Sequence, residues 1–107
     1  MDGETELAPG ITAFPTPGHT PGHMSLLIAS NNKRALLVGD ILGSPMQATE
    51  TEYRYTPDWN AEMGIQARKT ILDRAEKEKA VVIGSHLCYA GWGTMIRWDG
   101  RRYWQAL

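Results

Sequence analysis

Apolar residues recur along this chain with two different periods. Met63, Ala67, Ile71 and Ala75 fall four apart, with Thr70 and Arg74 alongside. That spacing predicts one apolar stripe on an α-helix of about five turns. Asn60 or Asp58 starts it by N-cap preference, and Arg68, Lys69, Asp73, Glu76 and Lys77 make its charged outer face. Elsewhere the apolar residues come in short runs. Residues 11–14, 24–29, 34–38 and 80–83 read as strands, the last fully apolar. The turn at 30–33 joins two of these runs into an antiparallel hairpin, and Asp99-Gly100 joins 94–98 to 101–104 in another. Residues 1–10 are polar and end in the turn signal Pro9-Gly10, and residues 43–59 and 87–93 read as loops.

The chain has 107 residues, enough for one domain at most and able to bury roughly two-thirds of its unfolded surface. A net charge of -1 provides no basic footprint for nucleic acid or an anionic membrane. No apolar run approaches the roughly 20 residues of a membrane helix. The acidic start, with Asp2, Glu4 and Glu6, does not read as a secretory signal. A soluble cytoplasmic protein is the expectation. The single cysteine, Cys88, excludes an intrachain disulfide and reads as a small loop residue.

Three metal-capable side chains share a setting. Asp40 follows strand 34–38 through Gly39, and His86 follows strand 80–83 through Gly84-Ser85. His19 lies in Thr16-Pro17-Gly18-His19-Thr20-Pro21-Gly22-His23, where two prolines and two glycines forbid helix or central strand and make a stiff, shaped loop. Strand ends feeding loops hold reactive groups rigidly while solvent reaches them. Two imidazoles and a carboxylate are a usual ligand set for zinc and similar ions. Each residue also has a purely structural reading: a lone His is more often a satisfied residue than a ligand, and Asp40 could accept backbone bonds in an Asx-turn. His23 could donate a ring N–H that stiffens the loop. Trp98 and Trp104 read as core, whereas Trp59 and Trp92 lie in predicted loops and are candidates for lining a pocket.

The Thr16–His23 loop, the strand end Leu36-Leu37-Val38-Gly39-Asp40 and Gly84-Ser85-His86, in that order, resemble the metallo-β-lactamase superfamily. The segment from Gly84 to Gly91 looks like its methyl-parathion-hydrolase-like and lactonase-like subgroup, which usually has proline near the position of Cys88. The resemblance implies an α+β fold, half of an αβ/βα sandwich: a mostly antiparallel sheet with one long helix packed on it. Residues 1–107 would then be a single partial domain, the C-terminal half. It further implies His19 as a ligand of one metal, His86 as a ligand of a second, Asp40 as the bridging carboxylate at the catalytic centre, and His23 as a supporting residue that is not a ligand.

The implied cofactor is zinc, two ions in the full family, with iron or manganese also suited to the set. The implied activity is hydrolysis of a small-molecule ester, lactone or phosphoester. The family's H-x-H-x-D-H motif is absent, so three ligands are left for two metals, too few for tight dinuclear binding. Half a sandwich also leaves a bare sheet face, which implies a homodimer or a complementing N-terminal half. The other reading is a non-catalytic, self-associating domain with weak or no metal binding.

Overall fold

Seven strands join one sheet in chain order: β1 (Thr5–Ala8), β2 (Ile11–Pro15), β3 (Met24–Ser30), β4 (Lys33–Gly39), β5 (Val81–Gly84), β6 (Trp92–Trp98) and β7 (Arg101–Ala106). This is a computed structural model, and it describes residues 4–52, 58–87 and 91–107. Every neighbouring pair is antiparallel except β4 and β5, which run parallel. A parallel pair needs a long crossover, and here it contains α1 (Met46–Thr49) and α2 (Ala61–Glu78). Two of the two-residue hairpin turns need left-handed backbone at both positions. Asn31 and Asn32 adopt φ of 50° and 61°, and Asp99 and Gly100 adopt 51° and 78°, all with residue types that tolerate it.

The 18-residue helix α2 begins where its cap chemistry dictates, with the Asn60 side chain accepting from the Met63 N–H. It ends at Lys79, whose left-handed φ of 54° lets its N–H close on the carbonyls of Ala75 and Glu76. The core lies between this helix and one face of the sheet. Leu27, Leu36 and Val82 stand side by side across β3, β4 and β5, and Ile71, Leu72 and Ala75 of α2 complete the buried cluster with Val38, Ile41 and Leu42. Among the described residues no helix is long and apolar enough to cross a membrane.

The other face of the sheet is also apolar, and among the described residues no helix packs on it. Leu26, Leu37, Ile83 and Trp92 align across one row, and Ile11, Ile28, Ala35 and Val81 across the next. None of the eight is fully buried, and Ile28 and Trp92 are 37% and 54% exposed. The alternation of side chains along a strand explains this: the odd and even positions of each strand serve different faces, and only one face has a helix.

Several sequence expectations are corrected. Part of the polar segment 1–10 forms β1, an edge strand pairing with β2, where polar residues are tolerated because neither face needs to be dry. The loop 43–59 contains α1, started at Pro45, and its residues 53–57 lie outside the described residues, as does Cys88. Trp92 opens β6 instead of ending a loop. Trp98, expected in the core, is 70% exposed, because it points to the uncovered face while Trp104 points to the helix and is 9% exposed. The buried stripe of α2 runs through Gly64, Arg68, Ile71, Leu72 and Ala75, so Met63 is exposed and Arg68 is fully buried instead of solvated.

Candidate functional site

The two parallel strands set the geometry. Asp40 follows the end of β4 and His86 the end of β5, and β3 runs antiparallel to β4, so the loop that precedes it opens at the same end of the sheet. His19, Asp40 and His86 are therefore brought together by topology, although they are far apart in sequence. His86 Nε2 stands 3.0 Å from Asp40 Oδ1, and His19 Nε2 stands 3.5 Å from Asp40 Oδ2. Each oxygen of one carboxylate thus faces a different imidazole. The side chains of Asp40 and His86 are 39% and 43% exposed, so solvent reaches the cluster, whereas His19 is 17% exposed.

His23 supports this arrangement from below. The backbone N–H of Asp40 donates to His23 Nε2 at 3.2 Å. With that nitrogen accepting, the ring proton sits on Nδ1 and is donated to Thr16 Oγ1 at 2.8 Å. The Thr16 hydroxyl in turn pairs with the fully buried Ser25 Oγ at 2.8 Å. Burial, and secondarily the nearby His19, pushes the His23 pKa down, which keeps the ring neutral and able to accept. Gly39 turns the chain into Asp40 with a left-handed φ of 55°, and a Cβ there would stand 3.0 Å from His23 Nε2. Glycine therefore serves both the turn and the close packing of that imidazole.

His19 is held by residues that sequence reasoning missed. Its Nδ1 donates to Asp58 Oδ1 at 3.1 Å, and Asp58 is 2% exposed. The guanidinium of Arg68 faces the other oxygen, with Nη2 3.6 Å from Asp58 Oδ2. By sequence alone Asp58 is only a helix-cap candidate and Arg68 part of a charged outer face. The signal for Arg68 was present in the sequence: it lies four residues from both Gly64 and Leu72, on the stripe that includes Ile71 and Ala75. A charge inside an apolar stripe calls for a buried partner. The loop itself is sewn to the helix start, since Trp59 N–H donates to His19 O and Asn60 N–H to Gly18 O, at 3.0 and 2.8 Å. Trp59 and Trp92, expected to line a pocket, are both more than half exposed.

The chemistry of the donor set is specific. With Nδ1 of His19 on Asp58, its Nε2 stands toward Oδ2 of Asp40. An imidazole nitrogen and a carboxylate oxygen so placed are both donors that a divalent ion accepts. Among the described residues no three His, Cys, Asp or Glu side chains are gathered tightly enough to hold an ion alone. The two imidazoles lie on different oxygens of Asp40.

Residues 2–86 match the model of the metallo-β-lactamase superfamily. An N-acyl homoserine lactonase of a Bacillus species is 30% identical over 86 residues, which is 80% of this chain and 34% of that protein. One from Bacillus cereus is 29% identical over the same shares. The chain thus spans about a third of the length of the curated relatives it matches. Among solved structures, the dizinc quorum-quenching lactonase AidC, in complex with a product, superposes with a TM-score of 0.87 at 24% identity, over 100% of this chain and 37% of the other. A solved N-acyl homoserine lactone hydrolase superposes with a TM-score of 0.70 at 28% identity, over 82% and 35%. The fold, the order of the motifs and the match over residues 2–86 agree: the chain belongs to the metallo-β-lactamase superfamily.

Proposed function

We propose that this chain supplies half of a dinuclear metal site to a hydrolase of small esters, lactones or phosphoesters. The observation that carries the reading is the placement of one imidazole on each oxygen of Asp40. In it His19 would hold one ion, His86 the second and Asp40 would serve both, with His23 fixing the backbone at Asp40. Zinc is the first expectation, and iron or manganese suit the same donors. When bound, such ions would supply an activated water nucleophile near neutral pH and polarise the bond that breaks. This chain's own residues orient that centre: Asp58 fixes the His19 ring, and Gly39 and His23 fix the angle at which Asp40 leaves its strand. The similarity to N-acyl homoserine lactonases makes a lactone the first substrate to try.

Each catalytic zinc takes about three protein ligands plus water, so the remaining ligands come from outside these residues. The uncovered rows of Leu26, Leu37 and Ile83 and of Ile28, Ala35 and Val81 support a partner sheet packed on that face. The proposed occupant is a second copy of this chain, forming a homodimer in the cytoplasm. A complementing N-terminal half is the alternative, and sedimentation separates the two. A concentration-dependent dimer that Ile28→Lys converts to monomer supports the homodimer, whereas a well-folded monomer at micromolar concentration rules it out.

Metal content after purification tests the site. Bound zinc that is lost in His19→Ala and in His86→Ala is the expected result. No metal, with stability unchanged by a chelator, would replace this reading with a non-catalytic, self-associating domain.

A further inference from the structure

We propose that Arg68 is a positioning residue of this site, whose buried guanidinium sets where His19 and Asp40 stand relative to each other. Its side chain is fully buried on α2, and it reaches three separate chain segments. Nε donates to the carbonyl of Ile41 at 3.1 Å, one residue beyond Asp40. Nη1 donates to the carbonyl of Thr51 at 2.8 Å. Nη2 faces Asp58 Oδ2 at 3.6 Å, and the other oxygen of Asp58 accepts from His19 Nδ1 at 3.1 Å.

One planar group therefore holds the segment after Asp40 directly and the His19 ring through a single carboxylate. The guanidinium fork is rigid, so its contacts are fixed relative to one another. A displacement of the helix at Arg68 moves both ends of the His19–Asp40 pair together. Lysine cannot do this, because one ammonium on a flexible stem has no fixed fork to present to two carbonyls and a carboxylate in different directions. The side chain of Asp58 is 2% exposed and has almost no water to fall back on, so the Arg68 guanidinium on one side and the His19 ring on the other both bear on its orientation. The glycines around it leave room for this. A Cβ on Gly64 would stand 2.6 Å from Asp58 Oδ2, so the helix is bare at the place where the carboxylate lies against it.

The inference rests on the metal reading only in its zinc measurement. Its first readout is the tautomer of His19, from nitrogen NMR of the metal-free chain at a pH where the imidazole is neutral. The native protein is expected to show the Nδ1–H form. Arg68→Lys should shift it toward a mixture with the Nε2–H form and weaken zinc binding about 10- to 100-fold, the usual range for loss of a group that orients a ligand. Asp58→Asn, which leaves both carbonyl bonds of Arg68 in place, should shift the same tautomer, and the double variant should add little to either. A folded Arg68→Lys protein with the native His19 tautomer overturns the proposal. Should Arg68→Lys fail to fold, an unchanged tautomer in Asp58→Asn overturns it instead. A tautomer shift in a chain that binds no zinc upholds the role of Arg68 and removes the metal reading alone.

Discussion

Gly18 and Gly64 are packed backbone to backbone: a Cβ on Gly18 would stand 2.3 Å from the Cα of Gly64. This contact docks the His19 loop onto the first turns of α2, and it links a motif glycine to a helix glycine 46 positions away. Glycine inside a helix costs about 0.5–1 kcal/mol relative to alanine, so an isolated helix would gain from Gly64→Ala. In this fold the new methyl would meet the buried carboxylate of Asp58 at 2.6 Å, and overpacking costs about 1–3 kcal/mol. The second effect is larger. Gly64→Ala is expected to destabilise the chain in urea unfolding and to weaken zinc binding by displacing Asp58 from His19. Increased stability with intact zinc binding would contradict it.

The Thr16 hydroxyl joins His23 Nδ1 to Ser25 Oγ, both at 2.8 Å, and Thr16 and Ser25 are 4% and 0% exposed. Thr16→Val keeps the shape and removes the bridge, leaving a ring N–H and a buried hydroxyl without it. The expected loss is about 1–3 kcal/mol. Adding Ser25→Ala removes one of the stranded groups, so the double variant should lose less than the sum of the two single losses. Strict additivity in chemical unfolding would show that the three groups do not act as a chain.

Glu76 joins α2 to the far end of the sheet. It accepts from Arg97 Nε and Nη2 at 2.5 and 2.9 Å, and Arg102 Nη1 lies 3.5 Å away. The hydrogen bonding from Arg97 holds its pKa below the ordinary 4.5. A carboxylate with a depressed folded pKa contributes stability that is complete above the unfolded value and is lost as pH falls through the folded one. Glu76→Gln should therefore lower the unfolding midpoint at neutral pH, and the gap from the native protein should close as pH drops below 4.5. Because this pair is mostly exposed, salt should narrow the gap as well. A gap that persists in acid would assign the effect to packing.

Two tryptophans on neighbouring strands separate the two faces of the sheet. Trp104 lies over Gly93 on the helix side and donates Nε1–H to Val82 O at 3.4 Å. Trp104→Ala should cost about 3–5 kcal/mol. Trp98→Ala, at a side chain 70% exposed, should leave unfolding of the monomer within about 0.5 kcal/mol and act instead on the proposed self-association, by weakening it. Equal losses in dilute urea titrations would mean that both faces are packed within one chain.

The local signals in the sequence were sufficient for much of this architecture. Runs at 24–29 and 34–38 around a two-asparagine turn specify a hairpin, because few other residues accept left-handed backbone there. Asn60 and the four-residue spacing after it specify the start and length of α2. The glycine and proline content around His19, and the glycines before Asp40 and His86, mark three rigid places where a strand gives way to a loop. What they could not specify is which side of an element faces protein. Trp98 and Trp104 look alike as residues, and only the helix on one face of the sheet distinguishes them. Arg68 looks like its charged neighbours Lys69 and Asp73, and the carboxylate of Asp58 with the carbonyls of Ile41 and Thr51, brought to it by the fold, make its burial tolerable. Local pattern follows from backbone sterics and periodicity within a few residues, whereas burial and charge pairing depend on partners set by tertiary contacts. The candidate residues His19, Asp40 and His86 were therefore legible in the chain, and the way Asp40 divides its two oxygens between the histidines was decided only by the parallel pairing of β4 with β5.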